Sequence, residues 1–387
     1  MTSEMQSAPV GPRRVPWIRL AVAFASLAVV AGLLFAPAFA PWVLRYEHWI
    51  ADWRTAYLSD RATAPNSRIA VVTIDDVTLK DLSSSPIDRG ILANLVTAIS
   101  EARARAIGLD ILFYKPTDEK KDDRLVEILK ARPVILGAND ERGKIEPFQR
   151  EFQSAFLQKS GKPVGYLNLR HESDGVVRYA ARPLAGSMYP KSFARLLAGA
   201  DGKEASDAGD PIPWTLNSSD GTNAFLIIPA QDVLAKSASA VAGLHDRIVL
   251  VGGDFQNRDV HRVPLSVRSG EDMTGLMIHA HILAGMLDKR AAISELTPEA
   301  ARLLLIAVGG MGFCLGWLLW QSNIVSLLRW TFATLLLLAI DALCFKFYHL
   351  LMPFTLALLM WFASVTVGRE LRILASSTAR QKTSPVQ

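Results

Sequence analysis

The segment AIGLDIL, residues 106–112, is a short apolar run that holds one carboxylate, Asp110. Three other runs have the same character: IAVVTI at 69–74, PVIL at 133–136 and IVLV at 248–251. Short runs rich in β-branched residues are typical of strands buried on both faces of a parallel sheet. Between these runs lie segments whose apolar residues have helical spacing, for instance 90–104 and 124–131. This alternation predicts an α/β domain with a mostly parallel sheet flanked by helices, joined by right-handed crossovers.

The middle of this domain has a different pattern. Residues 164–169 and 176–182 have strand character, and the turn at 173–175 between them predicts a hairpin. The other predicted elements here are helices near 192–197 and at 275–287, and a long surface loop at 201–220.

Four longer apolar runs lie outside this pattern, one near the N-terminus and three in the last fifth of the chain. Each is close to the roughly 20 residues that a helix needs to cross a bilayer core. The predicted transmembrane helices are 20–40, 301–320, 327–347 and 350–368. The α/β domain then occupies 41–300.

Basic residues next to these runs set the predicted orientation. They are Arg13, Arg14, Arg19, Arg329, Arg369, Arg372, Arg380 and Lys382. Lys and Arg concentrate in cytoplasmic loops, and four crossings place all of these residues on one side. The tails 1–19 and 369–387 are then cytoplasmic and the α/β domain is extracytoplasmic. The segment 38–40 also has the form of a signal-peptide cleavage site, and cleavage there would leave the side of the domain unchanged.

Charge and cysteine content limit the class of protein further. The formal net charge is only +5 and the basic residues flank membrane segments, so we expect no nucleic-acid binding. Cys314 and Cys344 fall in predicted membrane helices, so the α/β domain must fold without disulfides.

Five aromatic residues between Trp42 and Tyr57 share one helical face. That face lies either at the membrane interface or against the domain.

Carboxylates stand at the ends of the predicted strands. Asp75 and Asp76 follow the first strand, Asp110 lies in the second, and Asp254 follows Gly252 and Gly253 after a later one. Ligands of open α/β sheets bind outside the carboxyl ends of the strands. These carboxylates could hold a cation, a sugar or an amine there. Alternatively, they cap the helices and turns that follow.

Asp259, His261, His279 and His281 form a loose acid–imidazole group. Zinc uses such ligands, but His279 and His281 are two residues apart on a predicted helix and point in different directions. We therefore expect no metal and no cofactor, and a buried, hydrogen-bonded role for His279. The sequence also lacks a nucleophile elbow, a zinc-protease motif and a phosphate-binding loop, which argues against an enzyme.

Two features stand out inside the predicted membrane helices. Gly312 and Gly316 form a GxxxG pair, which permits close helix packing either within the chain or in a homodimer. Asp341 lies mid-helix, where a charge is costly and is by default a functional hypothesis. It pairs either with a residue of a partner protein or with a neighbouring helix.

Several motifs, in their order and spacing, resemble the type-two CHASE domain, an extracellular sensor of bacterial adenylate cyclases, histidine kinases and serine/threonine kinases. They are Glu47 with Asp52-Trp53-Arg54, Ile74-Asp75, Pro86-Ile87-Asp88-Arg89, Ala106 to Ile111, Asp118 with Asp122-Asp123, Ser173 to Arg178, Asp259 with Pro264, and Gly275 with His279-Ala280. The family often has Asn where this chain has His281, so the role of His281 stays open. The resemblance implies sensing and implies no particular ligand.

We therefore interpret the chain as a multi-pass sensor in the cytoplasmic membrane of a bacterium. The candidate ligand-binding residues are Asp75, Asp110, Arg89 and Asp254. The candidate structural or signalling residues are Asp174, Gly175, Arg178, Asp259, His279 and Asp341. Only 369–387 follows the last membrane helix, too short a segment for a cyclase or kinase, so we expect a separate cytoplasmic or membrane effector of that kind. The alternatives are a scaffolding protein that docks partners and an extracytoplasmic metal-dependent hydrolase.

Overall fold

A computed structural model describes residues 17–35, 41–75, 87–203, 205–255, 259–288, 293–318 and 324–382. The chain divides into two units. The α/β unit comprises 51–294 and 343–351, and the helical unit comprises 1–50, 295–342 and 352–387.

The strands of the described residues are β1 (Ile69–Ile74), β2 (Ala106–Asp110), β3 (Val134–Ala138), β4 (Val164–Tyr166), β5 (Leu226–Pro229), β6 (Ile248–Gly253), β7 (Val260–His261), β8 (Met273–Thr274), β9 (Ser294–Glu295) and β10 (Leu350–Leu351). The helices are α1 (Trp17–Phe35), α2 (Pro41–Leu58), α3 (Arg89–Glu101), α4 (Glu119–Lys130), α5 (Pro147–Ser160), α6 (Phe193–Ala200), α7 (Ala230–Leu234), α8 (Ala238–Leu244), α9 (Ser266–Ser269), α10 (Gly275–Asp288), α11 (Pro298–Leu318), α12 (Ile324–Tyr348) and α13 (Phe354–Lys382).

Six strands form one parallel sheet in the order β4-β3-β2-β6-β1-β5. The late strand β6 fills the position between β1 and β2, so that Val249 lies opposite both Ala70 and Ile107. The predicted α/β fold with a parallel sheet flanked by helices is therefore confirmed.

Alternate residues of β1 pack on opposite faces of the sheet. Ala70, Val72 and Ile74 belong to one core with α3, α4 and α7, whereas Ile69 and Val71 belong to a second core with α6 and α10. All six side chains of β1 are buried. The central strands are thus covered on both sides, as their continuous apolar sequences predict.

The predicted hairpin at 164–169 and 176–182 is wrong. Only 164–166 forms a strand, and it pairs in parallel with β3. The backbone of 176–182 bonds elsewhere: Val177 donates to the carbonyl of Arg262 over 2.8 Å and Ala180 to that of Asp210 over 3.0 Å. A single antiparallel bridge between Arg170 and Tyr179 remains around the predicted turn. Backbone hydrogen bonds from 176–182 to distant segments thus take the place of the predicted antiparallel ladder.

Among the described residues, three helices are long and apolar enough to cross a membrane, at Pro298–Leu318, Leu327–Tyr348 and Phe354–Ser376. α1, the predicted first transmembrane helix, is a shorter apolar helix. It packs with α11 and α13. Thr297 caps α11, since its Oγ1 accepts the backbone N–H of Ala300 over 3.2 Å.

Basic residues gather at one end of the helical unit. Arg19 at the start of α1 lies 3.5 Å from Glu370 near the far end of α13. The guanidinium groups of Arg369 and Arg372 lie 5.9 Å and 5.7 Å from the rings of Trp330 and Trp317. The start of α1, the end of α11, the start of α12 and the end of α13 therefore share this end.

The last residues of α12 belong to the α/β unit. Phe345 is fully buried in the core that contains α10. Lys346 donates from Nζ to the carbonyl of Leu58 over 3.2 Å and to Asp60 over 3.1 Å, and the backbone N–H of Ser294 donates to the carbonyl of His349 over 2.8 Å. One continuous helix thus belongs to both units.

Candidate functional site

A cavity of about 490 Å³, the strand-end cavity, lies at the carboxyl edge of the sheet in the α/β unit. Its walls come from the ends of β2, β3, β4 and β6, from the start of α3 and from α10. The lining residues are Ile87, Arg89, Asp110, Ile111, Leu112, Tyr114, Asn139, Leu167, Asn168, Leu169, His171, Gly253, Phe255, Asp259, His261, Gly275 and His279. This is the place where open α/β sheets bind their ligands.

Asp110, the last residue of β2, contributes a carboxyl group to the cavity. Its Oδ2 atom is buried and has no hydrogen-bond partner among the described residues. Burial, followed by the negative charge of Asp259, raises the pKa of Asp110 well above the usual range of an aspartate. The group can therefore donate a hydrogen bond when protonated, or hold a cation when ionised.

His279 reaches the same cavity from α10 and is 4% exposed. Its Nε2 atom donates to the carbonyl oxygen of Leu167 over 3.2 Å, and since a carbonyl only accepts, Nε2 carries the hydrogen. Burial lowers the pKa of His279 to about 4, so the ring is neutral at pH 7. Nδ1 is then an acceptor, and it is buried without a partner among the described residues. The buried, hydrogen-bonded role predicted for His279 thus holds for Nε2. Nδ1 is an acceptor available to a molecule in the cavity.

Asp259, His261 and His171 form a chain of side chains along the cavity. His261 Nε2 lies 3.0 Å from Asp259 Oδ1, and His171 Nε2 lies 3.0 Å from His261 Nδ1. Gly275 makes room for Asp259, because a Cβ there would lie 2.5 Å from Asp259 Oδ2. Burial, followed by the charge of His261, lowers the pKa of His171. The two imidazole rings therefore orient the Asp259 carboxylate.

Arg89 lines the cavity, but its guanidinium group is held by the protein. It is fully buried, and Nε donates to Asp122 over 3.2 Å. Its other nitrogens donate to the carbonyls of Ile87 and Lys115 over 3.3 Å and 3.1 Å, and the group stacks 4.8 Å from the ring of Phe113. The predicted ligand-binding residue is therefore placed at the site, with its charge already paired.

A comparison with models of protein families matches residues 25–319, most of the chain, to the CHASE2 domain. The chain belongs to the CHASE2 domain family. Comparisons with curated proteins and with solved structures gave no significant match. The resemblance drawn from the ordered motifs is thus confirmed, and the strand-end cavity is a feature of a sensor-type domain in a membrane protein.

Two of the CHASE2-like motifs meet at Arg178. Its guanidinium bonds both oxygens of Asp52 over 2.7 Å each, and it also reaches Glu172 over 2.7 Å and Asp174 over 2.7 Å. Burial alone would lower the pKa of Arg178, but these carboxylates raise it. Gly175 stands in the turn between Asp174 and Arg178 with a φ of 81°. The network fixes the end of α2 to the 172–178 turn within the CHASE2 domain.

Glu47, the first motif residue, acts in the helical unit. Its carboxylate accepts the backbone N–H groups of Phe354 and Thr355 over 3.0 Å and 2.7 Å at the start of α13. A carboxylate at this position also interacts favourably with the helix dipole. Glu47 and Asp52 are thus structural residues on one helix, α2, that bind α13 and Arg178 respectively.

The other strand-end carboxylates lie away from the first cavity. Asp254 lines a second cavity of about 510 Å³, together with Asp272, Arg268 and His281. Asp75 follows β1 and lines neither cavity, and Asp76 lies outside the described residues. Among the described residues no group of three His, Cys, Asp or Glu side chains is arranged to hold a metal ion.

The membrane-helix candidates are buried within the helical unit. Asp341 is 3% exposed, although its neighbour Ile340 is 44% exposed. Gly312 and Gly316 are buried against α13, where added Cβ atoms would meet the carbonyls of Trp361 and Val365. The glycine pair thus packs within the chain, and its use in a homodimer stays a prediction.

We predict that Arg178→Met lowers the free energy of unfolding by about 3–5 kcal/mol, because three carboxylates lose their shared cation while Asp52 stays buried. Denaturant unfolding of the full-length protein in detergent measures this. Lys159→Met, which breaks an exposed pair with Asp123, is the matched control and should cause no measurable change. Equal effects of the two substitutions would contradict the structural role of Arg178.

Because of His279, the free energy of unfolding should depend on pH. Its pKa is about 4 in the folded domain and about 6.5 in the unfolded chain, so the unfolded chain binds more protons between these values. The free energy of unfolding therefore falls as the pH falls, by about 2 kcal/mol from this group between pH 7 and pH 5. His279→Gln should remove that part of the decrease, whereas His245→Gln, at an exposed position, should keep it. An unchanged pH profile in His279→Gln would contradict the buried neutral ring.

Proposed function

We propose that this CHASE2 protein senses a small molecule outside the cytoplasm and signals through its membrane helices to a separate effector. The strand-end cavity carries this proposal. Its volume of about 490 Å³ falls in the range of small-molecule sites, and its lining combines apolar side chains with a few polar groups. Asp110 Oδ2 and His279 Nδ1 have no partner among the described residues, and a bound molecule would supply one to each.

The distribution of basic residues supports an extracytoplasmic α/β unit. Arg19, Arg369 and Arg372 lie at one end of the helical unit, and Arg329 precedes Trp330 at that end. Lys and Arg concentrate at the cytoplasmic ends of membrane helices. Lys346 and His349, at the other end of α12, bind Asp60 in the α/β unit. This arrangement favours a cytoplasmic basic end, and the membrane that we propose is the cytoplasmic membrane of a bacterium.

The signal would pass through α12. A ligand that binds two conformations of the α/β unit unequally shifts their populations. Phe345 is buried in the same core as α10, the helix that presents His279 to the cavity. Because α12 continues from that core into the helical unit, a shift of α10 would act on α12 directly. The segment 288–297 also connects the two units, and 289–292 in it lies outside the described residues.

The effector that we propose is a cyclase or kinase acting in the cytoplasm, and the role proposed for the α/β unit is binding without catalysis. A partner protein is the other signal to which a sensor domain could respond. The enclosed polar atoms of the strand-end cavity favour the small molecule, because a protein surface would not reach Asp110 Oδ2 without inserting a side chain.

The orientation is tested by cysteine labelling in intact cells. Asp220→Cys, at an exposed position of the α/β unit, is placed in a background where Cys314 and Cys344 are Ser. We expect a membrane-impermeant maleimide to label this cysteine without permeabilisation.

Lys382→Cys, at the end of α13, is the matched control and should react only after the membrane is opened. If Asp220→Cys also reacts only after permeabilisation, the proposed extracytoplasmic sensor is wrong.

A further inference from the structure

Three acceptor groups from separate parts of the chain line the strand-end cavity. Asp110 ends β2, Asp259 precedes β7, and His279 lies on α10. Asp110 Oδ2 and His279 Nδ1 are buried without partners among the described residues. Two unpaired buried atoms and the Asp259 carboxylate, from three segments, thus converge on one cavity. This arrangement indicates a ligand with several hydrogens to donate.

The charges around these atoms are negative. Asp259 lies close enough to influence the ionisation of both Asp110 and His279. Arg89, a cation in the lining, is fully buried and committed to Asp122 and two backbone carbonyls. An anionic ligand would therefore meet two carboxyl groups and an imidazole lone pair, so an anion fits this end of the cavity poorly.

We propose that the strand-end cavity binds its small molecule through a protonated amine, held by the Asp110 and Asp259 carboxylates and by Nδ1 of His279. The inference rests on the proposed function, because it names the ligand class of the same cavity. An ammonium group has three donor hydrogens, one for each of these acceptors. Its charge would favour the ionised form of the Asp110 carboxyl group.

The remaining lining residues are mostly apolar and would contact the hydrocarbon part of such a ligand. Apolar and aromatic side chains surround the acceptors: Ile111, Leu112, Tyr114, Leu167, Leu169 and Phe255. Aromatic rings also favour a nearby cation. A neutral alcohol could bond to the same acceptors but would leave the negative charge uncompensated, and charge-assisted hydrogen bonds are about twice as strong as neutral ones.

The test compares amines with alcohols of the same skeleton. Benzylamine and 1,4-diaminobutane are titrated into the full-length protein in lipid nanodiscs, beside benzyl alcohol and 1,4-butanediol, with calorimetry as the readout. We expect at least one amine to bind at least about tenfold more tightly than its alcohol.

Two substitutions test the role of the Asp110 and Asp259 carboxylates as acceptors. Asp110→Asn and Asp259→Asn should each weaken the amine by about tenfold and bring it close to the alcohol. Asp259 is 65% exposed, so its substitution should leave folding intact even if Asp110→Asn lowers the melting temperature. Asp254→Asn, in the second cavity, is the matched control and should leave amine binding unchanged.

Equal affinity for amines and alcohols, or amine binding that survives both substitutions, would overturn the amine assignment. Tight zinc binding that is lost in Asp110→Asn would overturn it in favour of a metal. If the alcohols bind as well as the amines and Asp110→Asn weakens both, the cavity is still a small-molecule site and only the ligand class is wrong. If an amine binds as expected but Asp220→Cys is labelled only after permeabilisation, the ligand class stands and the proposed orientation fails.

Discussion

The parallel sheet, covered on both faces, is the constraint on which the rest of the α/β unit depends. Side chains of β1, β2 and β6 are packed between two helical layers, so the strands hold apolar residues over most of their length. Polar side chains can then stand only where the strands end. Asp110 stands there, and α10 brings His279 to the same edge. Burying a polar atom without a partner costs about 1–3 kcal/mol, and the edge carries two such atoms.

A second dependence links this edge to the last residues of α12. α10 and the end of α12 share one core, where Phe345 is fully buried. Lys346 and His349 bind Asp60 just after α2, and α2 itself carries Asp52, which binds Arg178. Polar pairs thus fix the ends of α2 and α12 within the α/β unit.

The fold was largely predictable because it depends on local patterns. Apolar runs such as 106–112 identified the strands of the sheet. The hairpin prediction failed because the backbone of Val177 and Ala180 bonds to Arg262 and Asp210, which are 85 and 30 residues away in sequence. α5 was not predicted, although Pro147 at its first turn and Gly161 at its end are the usual signals of a helix.

The site was predictable only in part. Asp110 and Arg89, two of the predicted ligand-binding residues, line one cavity, and no sequence signal separated them from Asp75 and Asp254, which lie elsewhere. Asp259 and His279 line the same cavity, although the sequence suggested a structural or signalling role for them. His171 was missed because its partner His261 is 90 residues away. The commitment of Arg89 to Asp122, and the pairing of Asp52 with Arg178, likewise depend on tertiary contacts that spacing does not encode.

Binding of a small molecule by Asp110 and His279 in the strand-end cavity is the interaction from which the proposed sensing follows. Affinity enrichment tests it most directly: immobilised full-length protein is incubated with the dialysable fraction of a cell extract, and retained compounds are identified by mass spectrometry. We expect at least one compound that is retained by the unmodified protein and by Asp254→Asn but lost with both Asp110→Asn and His279→Leu. Retention of the same compounds by all four proteins, or of none by the unmodified protein, would contradict it.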